Sequence, residues 1–366
     1  MTEIKTNDTR RKNIRVDELE PGMKIAGDIE FDFGGILIPA GTILDKRKIN
    51  KLKKLGTKYV YIFDEDADSI KENYDRISNT VENYNRSLSK AGRLYKRFRN
   101  EEEIEYEEIK ELTFEVTTLG DDQDMIDLLT KVKNRDVDLF SHSINVGILA
   151  NLFGEWLGLE EERLHHLTQA GLLHDVGKLQ IPDKILEKPG ALTDEEEDIL
   201  NDHPVFGFKM TEKIEGMTKE IARGVLSHHE KYDGTGYPLG TKGKSIPVFG
   251  RILAIVNQFD ILISGYKDQT KISPFQAIKI FREDSFGVFD YELLTTFLDK
   301  IPYYFINEKV VLSDGREAKV VFINPKNPDR PIIEVDDNYI DLYNNDDLNI
   351  IRLLQSSSKE LELDNI

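Results

Sequence analysis

The spacing of apolar residues changes along the chain, and each change marks a different kind of structure. Over residues 1–64 the apolar residues fall in short runs separated by turn residues. "IRVDELEPGMKIAGDIEF" predicts a strand after Pro21-Gly22, "GGILIPAGTIL" a second between glycines, and "KYVYIF" a third. Between them "KRKINKLKKLG" has helical spacing and stops at Gly56. This part reads as a small α/β module. Residues 65–119, typified by "RLYKRFRNEEEIEYEEIKEL", are highly charged and helix-forming, with few breakers and no strand signal. They predict a charged, solvated helical linker or coiled element.

From residue 120 helical periodicity dominates. "SHSINVGILANLFGEWLGL" sets Ile144, Ile148, Leu149, Leu152, Phe153 and Trp156 at three-four spacing, which predicts a helix buried along one face and stopped at Gly158. "EERLHHLTQAGLLHDVGKL" predicts a second helix, and "SPFQAIKIFRED" and "YELLTTFLDKI" two later ones. Past Pro302 the period shortens again. "EKVVLSDGREAKVVFIN" reads as a hairpin around Asp314-Gly315 and "RPIIEV" as a further strand. The expected fold is mainly α, a helical bundle over residues 120–350 with a β-rich C-terminal tail, preceded by the α/β module. Residues 351–366 read as a disordered tail.

Composition narrows the chemistry. The 366 residues leave room for two or three domains, and 39% apolar content suffices for real cores. No run of about 18 apolar residues could span a membrane. The start, "MTEIKTNDTRRKNIRV", lacks the apolar stretch of a secretory signal, so a cytoplasmic location is expected. With no cysteine there is no disulfide and no thiolate ligand. A metal must be held by nitrogen and oxygen, which favours iron, manganese, zinc or magnesium. A net charge of -19 argues against a general nucleic-acid-binding surface. An anionic substrate would need strong local positive charge.

Five of the seven histidines, His142, His174, His203, His228 and His229, fall in the helical block beside acidic residues. Asp138 and His142, four apart, would share one helix face and could clasp one ion. His174 and Asp175 are adjacent, about 100° apart on a helix, which suits opposite sides of a cluster. Lys178 lies on their side and could present its ammonium to a phosphate. Singly, each has a structural explanation: His203 before Pro204 could cap a helix, and His165 and His166 sit on a polar turn with no acid at ligand spacing. The ordered set carries more weight, because a buried histidine costs free energy unless a metal or hydrogen bond satisfies it.

"HS" at 142, "HDVGK" at 174–178, "HP" at 203, "HHEKYDGTGYP" at 228–238 and "NQFD" at 257–260 together resemble the HD-GYP branch of the HD phosphohydrolase superfamily. The resemblance covers roughly residues 137–274. It implies a helical domain holding two or three divalent iron or manganese ions that hydrolyses cyclic di-GMP to linear pGpG or GMP. His142, His174, Asp175, His203, His228 and His229 match the family's metal ligands, with Asp175 as the bridge. A third ion would rest on Asp138, one methylene shorter than the glutamate of trinuclear members. Asp175 and Lys178 match catalytic positions, and Lys178, Gly236, Tyr237, Pro238 and Asp260 match the substrate side. A signalling protein is an expected partner at the GYP region, and the N-terminal part is expected to serve regulation or dimerisation.

Three positions depart from the family pattern. Asn257 stands where a metal-ligating aspartate is expected, and its amide oxygen brings no charge. Tyr266 takes an arginine position, and Gln269 a second basic one, so bidentate phosphate contacts are lost. These departures leave a second reading, a catalytically degenerate HD-GYP protein that acts as a nucleotide receptor or interaction module.

Overall fold

A computed structural model of the chain describes residues 11–354, apart from 20–22, 24, 28, 31–35, 39–41, 43, 45, 55–56, 64–66, 132–137, 267–269, 284 and 286. The chain divides into two compact units, Met1–Asn79 and Thr80–Ile366.

The first unit contains β1 (Arg11–Arg15), β2 (Ile29–Glu30), β3 (Ile36–Ile38), α1 (Lys46–Lys54) and β4 (Tyr59–Phe63). β1 pairs antiparallel with β4, placing Ile14 opposite Val60, and β2 pairs with β3. Val60 and Ile62 point inward while Tyr59 and Tyr61 face solvent, the alternation of a half-buried strand. They join Val16, Leu19, Ile25, Ile38, Leu44, Ile49 and Leu52 in a small separate core. β1 escapes the hydrophobic pattern because "RKNIR" carries one apolar residue. The strand expected after Pro21-Gly22 is reduced to a single bridge, Ile25 to Ile62, and the two residues of β2. Pro21, Gly22 and Gly56 lie outside the described residues.

The helix α2 (Ala67–Arg99) leads into the second unit. There follow α3 (Tyr106–Thr117), α4 (Asp122–Lys131), α5 (Leu139–Trp156), α6 (Glu161–Leu173), α7 (Asp183–Leu186), α8 (Asp194–Asn201), α9 (His203–Glu212), α10 (Lys219–Ser227), α11 (Val248–Ser264), α12 (Pro274–Glu283) and α13 (Tyr291–Lys300). The helix α5 is buried on every side from Ser141 to Gly154, not along one stripe. A helix apolar all round belongs at the centre of a bundle, and α6, α10 and α11 supply the surrounding core residues.

The supposed linker is part of this core. Val81, Tyr84, Ala91, Leu94, Tyr95 and Phe98 of α2 are buried, as are Ile109, Leu112 and Val116 of α3. Their three-four spacing makes one apolar stripe per helix, and the abundant charges occupy the other face. The two compact units meet after Asn79.

The chain ends in an antiparallel sheet of β5 (Lys309–Leu312), β6 (Glu317–Asn324), β7 (Asn327–Val335), β8 (Asn338–Asp341) and β9 (Ile350–Leu353), ordered β8-β7-β6-β5-β9. β5 and β6 form the expected hairpin, with Gly315 at φ 86° and the Asp314 carboxylate accepting from the Arg316 amide at 3.1 Å. β9 pairs with β5, Leu353 opposite Val310, so residues 351–353 are strand and not tail. Residues 355–366 lie outside the described part.

Candidate metal centre

Helix ends deliver the candidate ligands to one buried point. His142 lies in the first turn of α5. The helix α6 stops at Leu173, His174 is its C-cap, and a 3-10 turn, Val176–Gln180, follows Asp175. His203 opens α9, with Pro204 beside it in the first turn, where a missing N–H costs nothing. His228 caps α10, and His229 follows. The 3-10 turn presses on α9 at Gly177, where a Cβ would stand 1.9 Å from the His203 carbonyl oxygen and 2.4 Å from the Gly207 nitrogen. Only glycine allows this approach, which sets Asp175 against His203.

Each of four imidazoles is tied through Nδ1. That atom lies 2.8 Å from the Gly171 carbonyl in His174, 2.7 Å from Leu200 in His203 and 2.6 Å from Val225 in His228. In His142 it lies 2.7 Å from Asp260 Oδ2. These partners only accept, so Nδ1 carries the proton and Nε2 presents a lone pair inward. The Nε2 atoms of His142 and His174 are 3.2 Å apart, as are those of His203 and His228. Asp175 lies between the pairs. Its Oδ2 is 3.6 Å from His142 and 3.4 Å from His174, and its Oδ1 is 3.2 Å from His203 and 3.7 Å from His228.

Two ligand groups result, sharing one carboxylate: His142, His174 and Asp175, and Asp175, His203, His228 and His229. Burial lowers the pKa of His142, His203, His228 and His229, which keeps these rings neutral. Burial pushes the Asp175 carboxyl up, but the neighbouring His174 imidazole and Lys178 ammonium outweigh it and hold the group ionised, well below the usual range. The set is thus rich in acceptors and short of donors. Asp175 Oδ1 and Asn257 Oδ1 are buried without a hydrogen-bond partner. Divalent cations bound by nitrogen and oxygen suit such a set, since a buried acceptor without a donor is costly.

Two tyrosines flank the cluster. Tyr237 stacks on His229 at 4.6 Å, and Tyr266 stacks on His142 at 4.2 Å with planes 12° apart. The sequence pointed to the arginine missing at 266, but not to the nearly buried aromatic cover that replaces it. The Lys178 ammonium pairs with Asp175 Oδ2 and lies 5.2 Å from the centre of the Tyr266 ring. It is engaged with the carboxylate that the two groups of histidines share.

Several sequence expectations change. Asp138 is not a helical neighbour of His142. It is the N-cap of α5, exposed, in extended conformation, with its Oδ1 accepting from the Phe140 and Ser141 amides at 3.1 and 2.8 Å. Aspartate is among the best N-cap residues, and that role engages its Oδ1. Asp260, expected on the substrate side, is fully buried behind His142, where its Oδ2 holds the ring. Gly236 packs on backbone, since a Cβ there would meet the Lys231 nitrogen at 2.3 Å and the His229 oxygen at 2.4 Å. Pro238 follows a cis peptide bond after Tyr237. Gln269 lies outside the described residues. His165 and His166 stay apart from the cluster.

Glu230 was not anticipated. It is 2% exposed and accepts from the Leu239 and Thr241 amides at 2.8 and 2.9 Å. This fastens the end of the glycine-rich turn to the base of the histidine pair. An acid set between the histidines and a turn rich in unpaired amides was the available signal.

Comparison with known proteins agrees with this geometry. Residues 125–293 match a family described as HD domain. A cyclic di-GMP phosphodiesterase of Thermotoga maritima is 38% identical over 131 residues, which are 36% of each chain. A cyclic di-GMP phosphodiesterase response regulator of Xanthomonas campestris pv. campestris is 41% identical over 123 residues, 33% of this chain and 32% of the relative. The chain thus spans about a third of the length of these two curated relatives. The structure of Bd1817, an HDG"Y"P protein from Bdellovibrio bacteriovorus, shares the fold with TM-score 0.50 at 18% identity, over 80% of this chain and 99% of that one. Residues 125–293 thus carry an HD domain, within which the motifs "HDVGK" and "HHEKYDGTGYP" meet at one buried cluster.

Proposed function

We propose that this chain is a metal-dependent phosphodiesterase that hydrolyses cyclic di-GMP to linear pGpG, and onward to GMP where the second bond is also cut. The observation that carries this reading is Asp175, a buried carboxylate with one oxygen toward each of two histidine groups. Two divalent ions, iron or manganese, would be held by His142, His174 and Asp175 and by Asp175, His203, His228 and His229, with Asn257 Oδ1 as a further buried donor. When bound, they would supply Lewis acidity toward a phosphodiester and a water nucleophile at neutral pH. With Asp138 Oδ1 engaged at its helix cap, the described residues bring together two ligand groups, which suits two ions.

The chain's own residues do the rest. The Nδ1 bonds orient the imidazoles beforehand, and burial keeps four of them neutral, as metal ligands must be. Lys178 brings a cation beside Asp175, where negative charge develops on a phosphoryl group. Tyr237, held by its stack on His229, borders the same space. Cluster and ammonium together would make the pocket locally positive in a chain of net charge -19.

The test is anaerobic reconstitution with ferrous iron or manganese, followed by chromatographic resolution of products from cyclic di-GMP and a second cyclic dinucleotide. Release of pGpG or GMP supports the proposal. No turnover at full metal occupancy would sink it, and preference for the other dinucleotide would move the substrate assignment.

A further inference from the structure

A hydrogen-bonded chain runs from α2 to the ligand set. The Tyr84 hydroxyl, on α2, lies 2.8 Å from Asn145 Oδ1, and Asn145 Nδ2 lies 3.0 Å from Asp260 Oδ1. Asp260 Oδ2 meets His142 Nδ1 at 2.7 Å. All four residues are at most 3% exposed. Their polarity is fixed by chemistry. An ionised carboxylate only accepts, so Asn145 turns its amide NH2 toward Asp260 and its carbonyl toward Tyr84, which must donate. Every donor in the series points toward Asp260, and Asp260 sets the ring of His142. The Ser264 hydroxyl adds a weaker contact to Asp260 Oδ2 at 3.4 Å.

We propose that Tyr84 is a positioning residue for this metal centre: through Asn145 and Asp260 it fixes the orientation of His142, so that movement of α2 alters the grip on metal. The inference rests on the function proposed above. Its second support is location. Tyr84 stands five residues beyond Asn79, where the chain divides, on a helix that begins at Ala67 before the division. Rotation of α2 about its axis would withdraw the hydroxyl and leave the buried Asn145 carbonyl without its donor. Asn145 could then turn and release one oxygen of Asp260. The residue thus gives α2 a direct hold on a ligand that it does not touch.

The experiment is manganese titration of the chelator-stripped full chain, comparing wild type, Tyr84→Phe, Asn145→Ala and the double variant. Tyr84→Phe keeps the ring and its packing and removes only the hydroxyl. The expected result is an affinity for manganese weakened about three- to tenfold, the lower range for loss of an outer partner, with the melting temperature of the metal-free protein little changed. The double variant should bind no more weakly than Asn145→Ala alone, because both act through one chain. Unchanged manganese affinity in Tyr84→Phe would overturn the proposal. A Tyr84→Phe loss that adds in full to that of Asn145→Ala would also overturn it, marking a general structural effect. Wild-type protein that binds manganese but leaves cyclic di-GMP intact would defeat the functional reading without touching this one.

Discussion

Asn257 and Gly236 both stand at the cluster, and their substitutions test opposite claims. The Asn257 amide oxygen is buried, 4% exposed as a residue, with no donor. Asn257→Asp adds a charge where an acceptor already points. We expect tighter metal retention after gel filtration, by about tenfold, the scale of one strong charge-assisted contact. Metal content and turnover both unchanged would remove Asn257 from the ligand shell. Gly236→Ala instead drives a Cβ into the backbone of residues 229–231. We expect a loss of about 1–3 kcal/mol in denaturant unfolding, as for overpacked sites, with weaker metal binding because His229 must shift. The histidines were legible as an ordered set, because their residue type is rare and acidic residues recur beside them, whereas each alone had a structural explanation. The roles of Asp138 and Asp260 were not. Four-residue spacing does not distinguish a helix cap from a helix interior, and a pattern cannot tell a carboxylate that faces substrate from one behind an imidazole.

At the scale of elements, α2 shows why charge can hide a core helix. Its apolar residues Val81, Tyr84, Leu88, Ala91, Tyr95 and Phe98 recur at three-four spacing, yet charged residues, asparagine and serine fill most of the remaining positions. The energetics follow the buried stripe. The Tyr95 hydroxyl donates to the Leu172 carbonyl at 2.6 Å and lies 2.8 Å from Ser143 Oγ. Tyr95→Phe would leave that buried carbonyl short of a donor, so we expect a cost of about 1–3 kcal/mol. Lys110→Ala on α3 removes an exposed pair with Glu107 and should cost under about 1 kcal/mol. Equal effects in urea titrations would show that α2 is a solvated linker after all. The strands of the C-terminal sheet divide in the same way. β5 and β6 were legible from the shortened period and the Asp314-Gly315 turn, and β7 as a further strand in "RPIIEV", whereas β9 is four residues whose partner, β5, lies about forty positions earlier. Pairing at that distance leaves no local pattern.

For the whole molecule, the question is where an independently folding body begins. One continuous apolar core runs from Val81 to Leu353, and a second, separate core is confined to residues 16–62. A fragment of residues 80–366 keeps every buried apolar residue of the larger core. A fragment of residues 121–366, close to the start of the helical domain as composition suggests it, removes Val81, Tyr84, Leu94, Tyr95, Phe98, Ile109, Leu112 and Val116 among others. Full burial of such side chains stabilises by about 1.5–3 kcal/mol each. Their combined loss exceeds the roughly 5–15 kcal/mol that holds a typical domain together. The longer fragment should therefore unfold cooperatively and bind manganese as the full chain does. The shorter one should expose apolar surface to a hydrophobic dye and show no cooperative transition. It would also lack Tyr84, so even a refolded remnant should hold metal weakly. A shorter fragment that melted cooperatively with native metal content would mean that α2 and α3 are dispensable, and that the core begins at α4.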